Sequence, residues 1–72
     1  MKNSMDFPKR LRALRIKKGL SMRKAAELLG ISLSMLQRYE SGENSPSIER
    51  LSRFASILKV DVNSLIRTRG AA

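Results

Sequence analysis

The side chains in this sequence that are able to do chemistry are mostly cations. Fifteen Lys and Arg stand against six Asp and Glu, a net charge of +9 over 72 residues. They are unevenly placed. Residues 1–24 hold nine cations (Lys2, Lys9, Arg10, Arg12, Arg15, Lys17, Lys18, Arg23, Lys24) and one acid, Asp6. Residues 25–72 hold six cations and five acids. A strongly basic front on a nearly neutral body is an electrostatic footprint for a polyanion. Nucleic acid is the first candidate and an anionic membrane surface the second. A merely solvated, soluble face is the alternative that charge alone leaves open.

The usual equipment of an enzyme is missing. With no His, the commonest general base and the commonest imidazole ligand are absent. With no Cys, there is no thiolate for metal and no disulfide. The six acids are scattered without a paired spacing, and no nucleophile sits beside a base. The sequence is therefore read as non-enzymatic, with no metal and no cofactor. The longest apolar runs are far too short to span a bilayer, and Met1-Lys2-Asn3-Ser4-Met5-Asp6 lacks the apolar core of a signal peptide. A soluble cytoplasmic chain is expected. Its length allows one domain, and 42% hydrophobic with 29% charged residues is ordinary globular usage.

The elements that must carry these cations are short helices. Gly19, Gly30 and Gly42 each follow a run with helical spacing, and Pro46 follows a polar stretch. Helix one runs from Asp6 or Pro8 to Lys18, with Asp6 as its cap and Leu11 and Leu14 on one face, Phe7 and Ile16 nearby. Helix two starts at the cap Ser21 and ends at Leu29, with Ala25, Ala26, Leu28 and Leu29 apolar. Helix three starts at the cap Ser32 and ends at Glu40, with Leu36 and Tyr39 sharing a face and Met35 close to them. Helix four starts at the cap Ser47 and repeats Ile48, Leu51, Phe54, Ala55 and Leu58 at three and four. Helix five starts at Asp61 and holds Val62, Leu65 and Ile66. No segment alternates with period two, so an all-α fold without a sheet is expected. The domain is placed at 8–66, between an N-terminal arm at 1–7 and a flexible tail at 67–72.

Met22 to Ser41 is the most informative segment. Two short helices are joined by Leu29-Gly30-Ile31-Ser32. Ala25 and Ala26 are small where the second helix must cross close to the first, Gly30 permits a positive φ at the bend, and Ile31 and Leu36 plug the angle. These are the requirements of a helix-turn-helix rather than an ordinary αα-corner.

At these residues the sequence resembles the Cro/repressor-type helix-turn-helix, the lambda-repressor-like or XRE family. The resemblance rests on Leu11-Arg12-Ala13-Leu14-Arg15, Lys18-Gly19-Leu20-Ser21, Ala25 through Ser32, Leu36 through Gly42, Pro46-Ser47-Ile48, and Leu51 through Val60 to Leu65. It spans residues 8–66 without a gap. It implies a five-helix domain that binds operator DNA as a two-fold dimer and regulates transcription, with the second helix of the motif in the major groove. It also implies that Arg15 and Glu40 pair inside the fold as a structural ion pair.

Roles follow for particular side chains. Leu33, Ser34, Gln37 and Arg38 are the exposed early positions of the groove-entering helix. Gln37 suits adenine, Arg38 guanine or a phosphate, Leu33 a thymine methyl, and Ser34 bonds promiscuously. The N-terminus of helix two offers N–H groups at Ser21, Met22 and Arg23 to a phosphate, with Arg10, Lys24 and Ser41 as further phosphate contacts. Two positions depart from the family pattern. Met22 stands where many members carry Gln, leaving only its backbone N–H. Glu43-Asn44-Ser45 stands where the loop is often basic, and Glu43 would be repelled by a phosphate it faced.

A core of this size contributes only about 3–5 kcal/mol, and Val62, Leu65 and Ile66 are apolar, so dimerisation through helix five is expected. The expected partner is a palindromic duplex operator. No small-molecule effector is expected, because so few residues follow helix five. The competing function is an antitoxin or other protein-interaction module of a toxin-antitoxin or restriction-modification controller system. A membrane-surface helix would need a wide aromatic face that helix one lacks.

Overall fold

Each helix begins and ends on a local signal. The computed structural model describes residues 7–66, and in these the chain forms α1 (Phe7–Lys17), α2 (Met22–Leu29), α3 (Leu33–Ser41), α4 (Ile48–Leu58) and α5 (Val62–Leu65), with no strand among the described residues. Ser21, Ser32 and Ser47 cap α2, α3 and α4, each Oγ accepting from the backbone N–H three residues on, at Lys24, Met35 and Arg50. That bond satisfies a donor the helix itself cannot. Asp61 precedes α5 without a side-chain capping bond. The expected cap Asp6 and the expected tail 67–72 lie outside the described residues.

Four helix ends share one closure. An N–H two or three residues past the helix end reaches back five positions: Leu20 to Arg15 O at 3.0 Å, Ile31 to Ala26 O at 3.0 Å, Glu43 to Arg38 O at 2.9 Å and Val60 to Ala55 O at 2.9 Å. This motif needs a left-handed residue just before the donor. Gly30 fills it at the elbow, with φ 73°. At the end of α4 the same place is taken by Lys59, at φ 59°, a conformation disfavoured for a residue with a Cβ.

The core is a single cluster drawn from all five helices. Phe7 and Leu11 come from α1, Ala25, Ala26 and Leu29 from α2, and Leu36 and Tyr39 from α3. Leu51, Phe54, Ala55 and Leu58 come from α4 and Leu65 from α5. Tyr39 sits at its centre, edge-on to Phe7 at 6.1 Å and to Phe54 at 5.8 Å between ring centroids. These T-shaped pairs hold α3 between α1 and α4. α1 packs on α3 and α5, α2 on α3 and α4, and α4 on α5.

α1 starts at the buried Phe7, one residue before the domain boundary expected at 8. Burial departs from the sequence pattern at several positions. Ile16, Leu28 and Ile48 are exposed although each belongs to an apolar pattern. Ile48 is the extreme case at 75% exposure: it is the first residue of α4, and its side chain faces solvent. Leu65 differs in the opposite sense. The sequence places it on a dimer surface, but it is 0% exposed within its own chain, so no second copy can reach it. Val62 and Ile66, its neighbours in that expectation, are half-buried against the same core.

Candidate nucleic-acid interface

α3 is anchored by one side, which leaves the other for contact. Leu36 and Tyr39 are buried, Met35 and Glu40 are half-buried, and Leu33, Ser34, Gln37 and Arg38 are exposed. At 100° per residue these four span an arc of about 140° opposite the buried pair. The cap Ser32 and the elbow at Gly30 and Ile31 fix the entry of the helix. Ala25 and Ala26, both buried on α2, leave room for α3 to cross closely. The result is a rod about 10–12 Å across, a width the major groove admits.

Arg15 and Glu40 tie α3 to α1. Arg15 Nε donates to Glu40 Oε2 at 2.8 Å, and Nη2 donates to Oε1 at 3.2 Å. Arg15 Nη1 also donates to Leu20 O at 3.1 Å, in the turn before α2. Their side chains are only 13% and 8% exposed. Arg15 is therefore occupied inside the fold and adds nothing to the outward positive field.

The expected phosphate contacts are placed differently from one another. Ser21, Arg23 and Lys24 are exposed in the first turn of α2. The Lys24 N–H is committed to the Ser21 cap, whereas the N–H groups of Met22 and Arg23 precede the first intrahelical bond. The Met22 side chain packs against the core, so its backbone is what it offers. Ser41 is exposed, but its hydroxyl proton goes to Arg38 O at 3.2 Å while its oxygen accepts from Glu43 N at 3.3 Å. A phosphate would have to displace that first bond. Arg10 is placed differently from the exposed cations of α2. Its head group is part-buried and turned toward α5, where Nη1 donates to Ser64 O at 3.5 Å.

Two contacts beside α3 go beyond what the sequence predicts. Arg50 Nη1 donates to the Tyr39 hydroxyl at 3.2 Å, and Asn44 Nδ2 donates to Met35 Sδ at 3.5 Å. Both join α3 to the chain that follows it. Arg50 lies eleven residues from Tyr39 and shares no periodic pattern with it, so only packing brings them together. Glu43 is exposed in this loop, its N–H bonded back to Arg38 O. Among the described residues there is no His, Cys, Asp and Glu cluster able to hold a metal ion, and no helix is long and apolar enough to cross a membrane.

A helix-turn-helix whose second helix presents such a face defines a class. The helix-turn-helix family profile matches residues 11–65, and the chain belongs to that family, in its XRE or lambda-repressor-like form. It is similar to the HTH-type transcriptional regulator AnsR of Bacillus subtilis (strain 168), with 40% identity over 57 residues, covering 79% of this chain and 49% of AnsR. In structure it is similar to the restriction-modification controller protein C.AhdI from Aeromonas hydrophila, with a TM-score of 0.75 and 34% identity over 82% of this chain and 89% of that one. It is equally similar to SinR of Bacillus subtilis, the master regulator for biofilm formation, in complex with DNA. There the TM-score is 0.75 at 31% identity, over 83% of this chain and 97% of that one. The chain spans about half the length of the curated relatives AnsR and the prophage-derived regulator YonR.

Proposed function

We propose that this chain binds duplex DNA sequence-specifically and regulates transcription, with α3 in the major groove. The observation that carries the reading is the division of α3 into a buried side at Leu36 and Tyr39 and an exposed side at Leu33, Ser34, Gln37 and Arg38. Gln37 reads adenine through paired hydrogen bonds, Arg38 reads guanine or grips a phosphate, and Leu33 and Ser34 adjust the fit. Ser21, Met22, Arg23 and Lys24 hold a phosphate at the start of α2, and Ser41 holds another near the end of α3. The charge excess of residues 1–24 draws the polyanion in. The DNA complex of SinR, at 31% identity, supports the same use of the fold.

The proposal extends to a homodimer on a palindromic operator, acting as a repressor or autoregulator in the cytoplasm at the nucleoid. Val62 and Ile66 remain available for such a dimer, and Leu65 does not. No small-molecule effector, cofactor or catalysis enters the scheme. Selection of bound duplexes from a random pool tests it. The expected product is a short motif repeated as an inverted pair with centres about one helical turn apart. A selected pool no different from the starting pool would refute it.

A second reading is an antitoxin or other protein-interaction module of a toxin-antitoxin or restriction-modification controller system. The exposed Leu28 and Ile48 favour it. Failure of the chain to bind any duplex at low ionic strength, with a stable complex to another protein, would favour this reading over the first.

A further inference from the structure

The seam between α1 and α5 has a chemistry that neither the core nor the α3 face uses. Arg10, Ala13, Leu14 and Lys17 recur at three and four along α1, and with Ser64 of α5 they line an open groove of about 210 Å³. Its middle is apolar, at Ala13 and Leu14, and its two ends on α1 are cations. A step of seven residues separates those cations, about 10 Å along the axis. Neither Arg10 nor Lys17 has a carboxylate partner among the described residues, where Arg15–Glu40 is the one ion pair. Arg10 is also poorly served. Its bond to Ser64 O is 3.5 Å long, at the limit for a hydrogen bond, and its Nε is sealed from solvent with no acceptor. A buried donor without an acceptor is unfavourable, so turning this guanidinium outward onto a carboxylate relieves an existing deficit.

We infer that the groove between α1 and α5 docks a helical segment of a partner protein carrying carboxylates two turns apart, which pair with Arg10 and Lys17 while an apolar side chain between them rests on Ala13 and Leu14. Acids at i and i+7 of such a helix repeat the spacing of the cations, and a Leu or Ile between them matches the apolar middle. A Glu side chain is slim enough to reach a half-buried guanidinium, and the test below separates a carboxylate from a phosphate as its partner. This inference is independent of the DNA reading, which uses α2 and α3.

The test uses the full 72-residue chain and a synthetic helical peptide of about four turns, with two Glu at i and i+7 and Leu between them. The Arg10 Nε–Hε and Leu14 methyl signals are followed by NMR. Both are expected to shift saturably. The same peptide with Gln for Glu should bind markedly more weakly. Lys17→Gln should weaken the Glu peptide, and the charge-matched Arg53→Gln, on exposed α4 surface, should leave it unchanged. Arg10→Gln should abolish the Leu14 response. Four outcomes would each overturn the inference: no saturable shift, equal binding of the Gln peptide, equal losses in the Lys17 and Arg53 variants, or the same shifts produced by inorganic phosphate or a DNA duplex in place of the peptide.

Discussion

The Arg15 guanidinium and the Glu40 carboxylate meet edge to edge, with Nε–H donating to Oε2 at 2.8 Å and Nη2–H to Oε1 at 3.2 Å. Arg15 Nη1 goes to Leu20 O at 3.1 Å, so one side chain ties α1, the turn before α2 and the end of α3. Both groups are largely withdrawn from water, so each depends on the other to offset its desolvation. The pair sits one residue beyond Tyr39, at the end of α3 farthest from its cap. It fixes the tilt of the helix that carries Gln37 and Arg38.

Breaking the pair from one side should be costly. Glu40→Ala leaves an unpaired, part-buried guanidinium, and Arg15→Ala leaves an unpaired carboxylate. Each should lose about 3–5 kcal/mol in urea denaturation. The double variant Arg15→Met with Glu40→Leu should recover most of that loss. If both single variants keep wild-type stability, the pair does not anchor α3.

Removing the amide and the guanidinium on the outer face of α3 should affect recognition without affecting the fold. Gln37 and Arg38 are exposed, so Gln37→Ala and Arg38→Ala together should leave the circular dichroism spectrum and the melting curve unchanged. Discrimination between selected and random duplexes should fall by about 1–3 kcal/mol for each base-reading side chain removed. Equal discrimination by the double variant would rule out direct readout from these positions.

Salt should report the phosphate contacts separately. Arg23 is exposed in the first turn of α2, and neutralising it as Arg23→Gln should weaken all duplexes alike. The slope of log affinity against log salt should become shallower by about 0.9. An unchanged slope would remove Arg23 from the interface.

Two large aliphatic positions should separate sharply. Leu65→Ala empties a fully buried site and should cost about 2–5 kcal/mol. Ile48→Ser, at 75% exposure, should change stability by no more than about 0.5 kcal/mol. Equal effects in thermal melts would mean that the two ends of the α4–α5 unit are equally covered.

Lys59 offers a stabilising change. It holds φ 59° at the end of α4, where the closing bond from Val60 to Ala55 O is already made. Lys59→Gly should relieve the Cβ strain and raise stability by about 0.5–1 kcal/mol, after the greater entropy of glycine in the unfolded chain is subtracted. A lower melting temperature would show that the lysine side chain contributes more than its backbone costs.

Much of the architecture is decided by residues acting on their immediate neighbours. Ser21, Ser32 and Ser47 satisfy donors three positions away, and Gly19, Gly30 and Gly42 allow the chain to turn back within two residues. Such signals operate over a few ångströms, so helix number, helix ends and the elbow are legible in the sequence. So is the concentration of positive charge in residues 1–24, which depends on composition alone. The pairing of Arg15 with Glu40 is implied only by family resemblance, since nothing local links residues 25 apart.

Only the folded chain decides which apolar residues are covered. Ile48 and Leu65 belong to equally good apolar patterns, yet one faces water and the other is sealed, because coverage depends on helices that arrive from elsewhere in the chain. The same holds for polar reach. Arg10 is drawn to Ser64, 54 positions away, and Arg50 to the Tyr39 hydroxyl, so a side chain's charge predicts its sign but not its partner. Periodicity states which side of a helix is apolar; the docking of the other helices determines how much of that side is buried.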